Sequence, residues 1–160
     1  MRIVHAAVLL STLAFFGPPH ITVHTLTAKT GGDPVFELEV EHHTTPEDMH
    51  LTGRAESVQN GHRISNTLTI VHTQSGRYAV SKQWGGTTPW LVVFSAAPGA
   101  VNASHGVAEA IVSIDALGAV KNIEYLKPGF LDAGKTRDRE SQEKLDAALR
   151  ALGLRETGAK

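Results

Sequence analysis

Three histidines, two carboxylates and one methionine lie between positions 42 and 50. Neutral imidazole is the commonest protein ligand of metals, carboxylates supply hard oxygen ligands, and a thioether suits copper(I). The candidate ligands of one copper or zinc ion are His43, Glu47, Met49 and His50. The spacing matches no established zinc motif. A polar loop with one half-buried strand histidine, His42, is therefore the alternative interpretation.

Two tryptophans, Trp84 and Trp90, flank a glycine-rich turn that begins at Gly85. Indole rings beside a loop can form a stacking platform for a sugar or a peptide. The same rings also suit core and strand-end packing, because large aromatic side chains bury much area. The sequence leaves ligand binding and core packing open for both residues.

The chain lacks the sequence motifs of common enzyme classes. No serine lies in a Gly-x-Ser-x-Gly elbow, and no phosphate-binding loop or Gly-x-Gly-x-x-Gly opens a helix. Glu37, Glu39 and Glu41 share one side of a predicted strand, as glycosidase carboxylates would, but like charges there face water by default. The absence of cysteine excludes disulfides, thiolate metal sites and a cysteine nucleophile. We therefore expect a non-catalytic protein.

The composition is that of one globular domain. The chain has 160 residues, of which 41% are hydrophobic and 19% are charged, and both values are typical of folded proteins. The formal net charge of −1 argues against a nucleic-acid partner, because such binding needs a basic face that replaces counterions. The expected partner is an unidentified protein or a small ligand.

Residues 1–17 predict an export signal. Met1 and Arg2 give a positive start, residues 3–16 are almost wholly apolar, and Gly17-Pro18-Pro19 ends any helix. An apolar run of this length suits a signal-peptide core better than a bilayer span. We expect a periplasmic or secreted protein. An uncleaved N-terminal anchor that associates with the membrane and a buried first element are the alternatives.

Period-two patterns predict a mostly β protein over residues 18–136. Phe36, Leu38 and Val40 alternate with glutamates, as in a half-buried strand. Asn60-Gly61 predicts a tight hairpin, and residues 90–94, apolar on both faces, predict a central strand. Such short strands joined by turns favour an antiparallel immunoglobulin-like sandwich. The eight predicted strands are residues 21–27, 35–42, 51–58, 64–73, 78–84, 90–94, 107–114 and 119–126.

Residues 137–160 predict a C-terminal α-helix and tail. Leu145, Leu149 and Leu152 recur at helical spacing and form one apolar stripe. Asp138 is the predicted N-cap, and Gly153 is the predicted stop. We expect the stripe to dock on the sandwich, and a helix that binds a partner or a membrane is the alternative.

Three stretches of the chain resemble bacterial periplasmic immunoglobulin-like modules of the YtkA-like/FixH-like type. They are residues 51–55, 73–80 with Gly76-Arg77-Tyr78 after a turn, and 90–93. The resemblance covers residues 35–96, and Pro46 and Met49-His50 stand where that group often has a loop rich in methionine and proline. It implies an accessory protein of a membrane metal or respiratory system.

These observations predict an exported, non-catalytic binding or accessory module without a resident cofactor. One alternative is a periplasmic copper- or zinc-binding protein that uses the loop from His43 to His50. The other is a small hydrolase or carbohydrate-binding domain built around Trp84 and Trp90.

Overall fold

The computed structural model describes residues 19–28, 30–41, 49–98, 106–129 and 134–157. The predicted signal segment, residues 1–17, lies outside these ranges. No helix within them combines the length and the apolarity that crossing a membrane requires. The elements are β1 His20–Thr25, β2 Pro34–Glu41, β3 Met49–Gln59, β4 His62–Thr67, β5 Val71–Gln74, β6 Arg77–Ser81, β7 Trp90–Pro98, β8 Val107–Ile114, β9 Val120–Gly129 and α1 Gly134–Ala151.

The strands form two antiparallel sheets. The first sheet has the order β1-β2-β6-β5, and the second has the order β4-β3-β7-β8-β9. If β1 to β8 are lettered as the strands of an immunoglobulin domain, these orders are ABED and C′CFG. Strand β9 is an addition at the edge next to β8. The predicted fold class, an antiparallel immunoglobulin-like sandwich with a C-terminal α-helix, is confirmed.

Alternation along β2 builds the core between the sheets. Phe36, Leu38 and Val40 point inward and are buried, while the glutamates between them lie on the outer face. The Phe36 ring stacks on Trp84, with ring centroids 6.0 Å apart. It also meets the edge of Phe94, at a centroid distance of 5.8 Å. The predicted half-buried strand is therefore correct over its described part, which excludes His42.

Strand β7 lies between β3 and β8 and is buried on both faces. Trp90, Val92 and Phe94 pack in the core between the sheets. Leu91 and Val93 point the other way, into a second apolar cluster on the outer face of the second sheet. The prediction of a central strand is confirmed, because both faces of this sheet are covered.

The β3–β4 hairpin turns at the predicted dipeptide. Asn60 has φ 52° and Gly61 has φ 77°, the positive values that a two-residue hairpin turn of this twist requires. Asn tolerates this conformation and Gly adopts it without strain. The turn residues therefore fix the register of the hairpin.

The predicted single strand over residues 64–73 is wrong, because the chain changes sheets within it. Strand β4 ends at Thr67 in the second sheet, and β5 begins at Val71 in the first. The crossing is held by the Leu68 N–H, which donates to the Gly53 carbonyl at 2.9 Å. The Gln83 amide pairs with both backbone groups of Thr69, at 2.7 Å each. β-Branched residues continue through the crossing, so the pattern alone does not reveal it.

Helix α1 starts earlier than the capping signal predicts. It begins at Gly134, so Asp138 lies inside it and the predicted N-cap is wrong. The residues from Gly134 to Arg137 include no proline, and nothing in them prevents the helix from extending backwards. A capping residue marks a favourable helix start without excluding an earlier one.

The predicted helix stop at Gly153 is confirmed. Gly153 has φ 77°. Its N–H donates to the Arg150 carbonyl, and the Leu154 N–H donates to the Leu149 carbonyl, each at 3.0 Å. These two bonds define a Schellman motif. The chain therefore turns back sharply over the last turn of the helix.

Truncation of Phe94 to alanine tests this core. The side chain is fully buried between the sheets, so Phe94→Ala should lower the free energy of unfolding by roughly 3–5 kcal/mol. Urea denaturation measures this loss. The control is Leu117→Ala, because Leu117 is 94% exposed and its truncation should change stability by at most about 0.5 kcal/mol. A loss below about 1 kcal/mol for Phe94→Ala would contradict this core.

Candidate functional site

Helix α1 docks through its leucine stripe on the outer face of the second sheet. Leu145 and Leu149 are buried there, and Leu152 is partly buried beside them. The docking expected from the sequence is confirmed. The strand residues under the helix are Leu91, Val93, Ile111 and Leu126.

A chain of ion pairs ties the helix to the β3–β4 hairpin. Glu56 is 5% exposed and accepts hydrogen bonds from Arg63 Nη2 at 2.5 Å and Nε at 2.8 Å. Arg54 Nε donates to the other oxygen of Glu56 at 2.5 Å. Arg63 Nη1 donates across to Asp146 of α1 at 2.9 Å. We call Arg54, Glu56, Arg63 and Asp146 the Arg63 clasp.

The Arg63 clasp offsets the unfavourable free energy of burying the Glu56 carboxylate. A buried charge is unfavourable unless it is paired and hydrogen-bonded, and both oxygens of Glu56 have guanidinium partners. Partial burial of Arg63 disfavours the charged form of the guanidinium and by itself would lower its pKa. The hydrogen bonds and the attraction from Glu56 and Asp146 outweigh this and raise the pKa of Arg63 above its ordinary value. Two arginines and two carboxylates leave the clasp with no net charge.

The tail after the Schellman motif packs over the hairpin turn. The Thr157 N–H donates to the Gly61 carbonyl at 2.9 Å. A Cβ added to Gly61 would lie 1.8 Å from Thr157 Oγ1, so any larger residue here would force the Thr157 side chain to move. The glycine thus serves both the turn and the contact with the tail.

The hairpin, the end of the helix and the tail enclose an open cleft of about 390 Å³. We call it the C-terminal cleft. Its volume falls at the small end of the range typical of ligand pockets. Its lining combines apolar side chains with charged ones of both signs. The lining residues are Val58, Arg63, Asp146, Leu149, Arg150, Leu154, Arg155 and Glu156.

Two further arginines at the cleft are exposed, whereas Arg63 is partly buried and paired with carboxylates. Arg150, in the last turn of α1, and Arg155, in the tail, are both exposed. Within the described part of the chain, neither makes an ion pair, whereas Asp146 and Glu156 both lie near Arg63, at 2.9 and 3.9 Å. The cleft therefore offers two guanidinium groups whose donors are available to a ligand.

The structure separates two of the predicted metal ligands. Met49 is 7% exposed and packs in the core between the sheets, while the neighbouring His50 is exposed. Successive strand residues point to opposite faces, so one ion at His50 would lie away from the Met49 sulfur. His43 and Glu47 fall outside the described residues. The described ranges contain no group of three or more His, Cys, Asp or Glu side chains placed to hold a metal, and the copper or zinc site stays a prediction.

Both tryptophans have packing roles. Trp84 and Trp90 are 8% and 3% exposed and belong to the core cluster. Trp90 Nε1 donates to the Gly85 carbonyl at 2.9 Å, which satisfies the indole N–H across the glycine turn. A stacking platform needs an exposed ring face. Binding of a sugar or peptide by these rings stays a prediction.

Apart from Leu149, which belongs to the leucine stripe, the residues of the C-terminal cleft carry no pattern that the sequence analysis identifies as a site. Asp146 and Arg150 are four residues apart and so share a helix face, which marks a polar border beside the leucine stripe. That spacing could have indicated charged residues at the edge of the docked helix. The pairing of Asp146 with Arg63, 83 positions away, leaves no local signal.

Comparison with protein-family models, curated proteins and solved structures finds no match for this chain. The resemblance to YtkA-like/FixH-like modules therefore stays a prediction.

Substitution of Gly61 tests the docking of the tail. Gly61→Ala should destabilise the protein through the positive φ and through the overlap with Thr157, and thermal unfolding measures both effects together. Gly118→Ala is the matched control, because Gly118 has φ 85° and open space where a Cβ would lie. We expect Gly61→Ala to cost at least about 1 kcal/mol more than the control, the usual scale of steric misfit. Equal losses would contradict the contact between tail and turn.

Proposed function

We propose that this protein is an exported, non-catalytic binding or accessory module that holds a small ligand in the C-terminal cleft. The observation that carries the proposal is the cleft itself, about 390 Å³ in volume, with apolar walls and two guanidinium groups available at Arg150 and Arg155. Ligand sites of this kind combine an apolar lining with a few polar groups that fix orientation.

The scaffold favours binding with little rearrangement. The cleft is made by a hairpin turn, a helix end and a short tail, and each is held by specific bonds to its neighbours. Binding residues are often found on connecting segments that a rigid sandwich positions. A preorganised cleft loses less entropy when a ligand binds.

The chemistry of the lining favours binding over turnover. Its residue types are valine, leucine, arginine, aspartate and glutamate, so the lining supplies no hydroxyl, thiol or imidazole that would act as a nucleophile or base. Asp146 is held by Arg63 at 2.9 Å and by Gln142 at 2.7 Å. A carboxylate fixed by two donors is poorly suited to carry a proton between substrate and solvent.

The apolar N-terminal segment supports the exported location. Its positive start, apolar run and Gly17-Pro18-Pro19 end follow the order of a signal peptide. A binding module in the periplasm or outside the cell also agrees with a domain that has no cysteine to be oxidised.

An NMR titration tests the proposed function. Short fatty acids, N-acetyl amino acids, aliphatic amines and monosaccharides are added separately at millimolar concentration to the ¹⁵N-labelled protein. At least one class should shift amide signals of residues 58–63 and 149–156. Leu154→Trp should fill the cleft and abolish these shifts, while the same substitution at exposed Leu117 should leave them unchanged. The proposal is overturned if no class shifts these signals, or if the shifts survive Leu154→Trp.

A further inference from the structure

We propose that the ligand of the C-terminal cleft is a monocarboxylate attached to a short aliphatic group, and that Arg150 and Arg155 hold the carboxylate. This inference rests on the proposed function, because it names the chemical class that the cleft would accept. A site for such a ligand requires an excess of positive charge, hydrogen-bond donors of suitable geometry and an apolar wall beside them.

The charge of the cleft fits a single negative group. The Arg63 clasp is neutral, so the charges left over in the lining are those of Arg150, Arg155 and Glu156. Two cations against one anion leave a net charge of +1. A monocarboxylate neutralises this excess, whereas a phosphate ester with two charges would leave the site negative.

The partial negative charge at the C-terminal end of α1 does not cancel the preference of the cleft for an anion. A helix C-terminus carries a partial negative charge on its free carbonyls. The Leu149 and Arg150 carbonyls already accept the two bonds of the Schellman motif. These carbonyls are therefore less available to repel an anion, and the guanidinium groups set the sign at the opening.

The donors have the geometry that a carboxylate accepts. A guanidinium presents N–H groups in a planar fork that matches two carboxylate oxygens, and it stays protonated at all physiological pH values. Arg150 precedes the turn at Gly153 and Arg155 follows it, so the two side chains flank one bend of the chain at the cleft.

The wall of the cleft is aliphatic. Val58, Leu149 and Leu154 line it; the first two are buried and Leu154 is half-buried. The lining has no aromatic ring on which a sugar or a nucleobase would stack. The volume of about 390 Å³ suits a branched side chain or a short acyl chain.

Two kinds of molecule carry a carboxylate on a short aliphatic group, and different probes distinguish them. One is a free aliphatic acid, for which octanoate is the probe. The other is the C-terminus of a peptide that ends in an apolar residue, for which N-acetyl-leucine is the probe. The matched neutral compounds are octanamide and N-acetyl-leucinamide, which keep the aliphatic group and lose the charge.

Calorimetric titration of the full chain with these four compounds tests the inference. At least one acid should bind about tenfold or more tightly than its own amide, the ratio expected when a charge-assisted hydrogen bond is lost. The pair Arg150→Gln and Arg155→Gln together should remove this preference. Lys121→Gln, which removes an exposed cation on β9, should preserve it. Preference for octanoate assigns a free acid, and preference for N-acetyl-leucine assigns a peptide C-terminus.

The outcomes separate this inference from the proposed function. If an acid and its amide bind equally and both shift the cleft signals, the carboxylate class is wrong and the binding module stands. If the acid preference survives the double arginine substitution, Arg150 and Arg155 do not hold the ligand and the inference is overturned. If no compound of any class shifts the cleft signals, both the inference and the proposed function are wrong.

Discussion

The apolar outer face of the second sheet determines the arrangement of the C-terminal third of the chain. In an antiparallel sandwich the outer face of a sheet is commonly polar and solvated. Here Leu91, Val93 and Ile111 point outward from β7 and β8 and are buried under α1. A contiguous apolar patch left exposed would promote association, so the sheet is completed by the helix that covers it.

Leucine packing alone does not fix where the helix lies along the sheet, because apolar contacts are not directional. Polar contacts on both sides of α1 supply the direction. On the β4 side Arg63 reaches Asp146, and on the β9 side Lys144 donates to Glu124 at 2.6 Å. Near the middle of the helix, Ser141 donates to Glu109 of β8. The cleft exists because this position brings the last turn of the helix beside the β3–β4 hairpin.

The sequence predicts the parts of this fold that rest on local patterns. Alternation in β2, the Asn60-Gly61 turn and the leucine spacing of α1 each need only neighbouring residues, and the structure confirms them. The sequence does not indicate the change of sheets at Leu68, because a β-branched run continues through it. The sequence does not indicate the cleft either, because Arg63 and Asp146 are brought together only by the docking of the helix. The histidine-rich loop and Trp84 are candidate sites by residue type alone, and residue type does not determine burial.

The Arg63–Asp146 contact helps to fix the helix on the sheet at the side of the cleft, and a double-mutant cycle tests this role most directly. Arg63→Met, Asp146→Ala and the double variant are compared by urea denaturation. Residues in direct contact should couple, and we predict an interaction free energy of about 1 kcal/mol for this partly exposed pair. Losses that add to within about 0.3 kcal/mol would mean that the two side chains do not act together. That result would contradict the account of how the helix, and with it the cleft, is positioned.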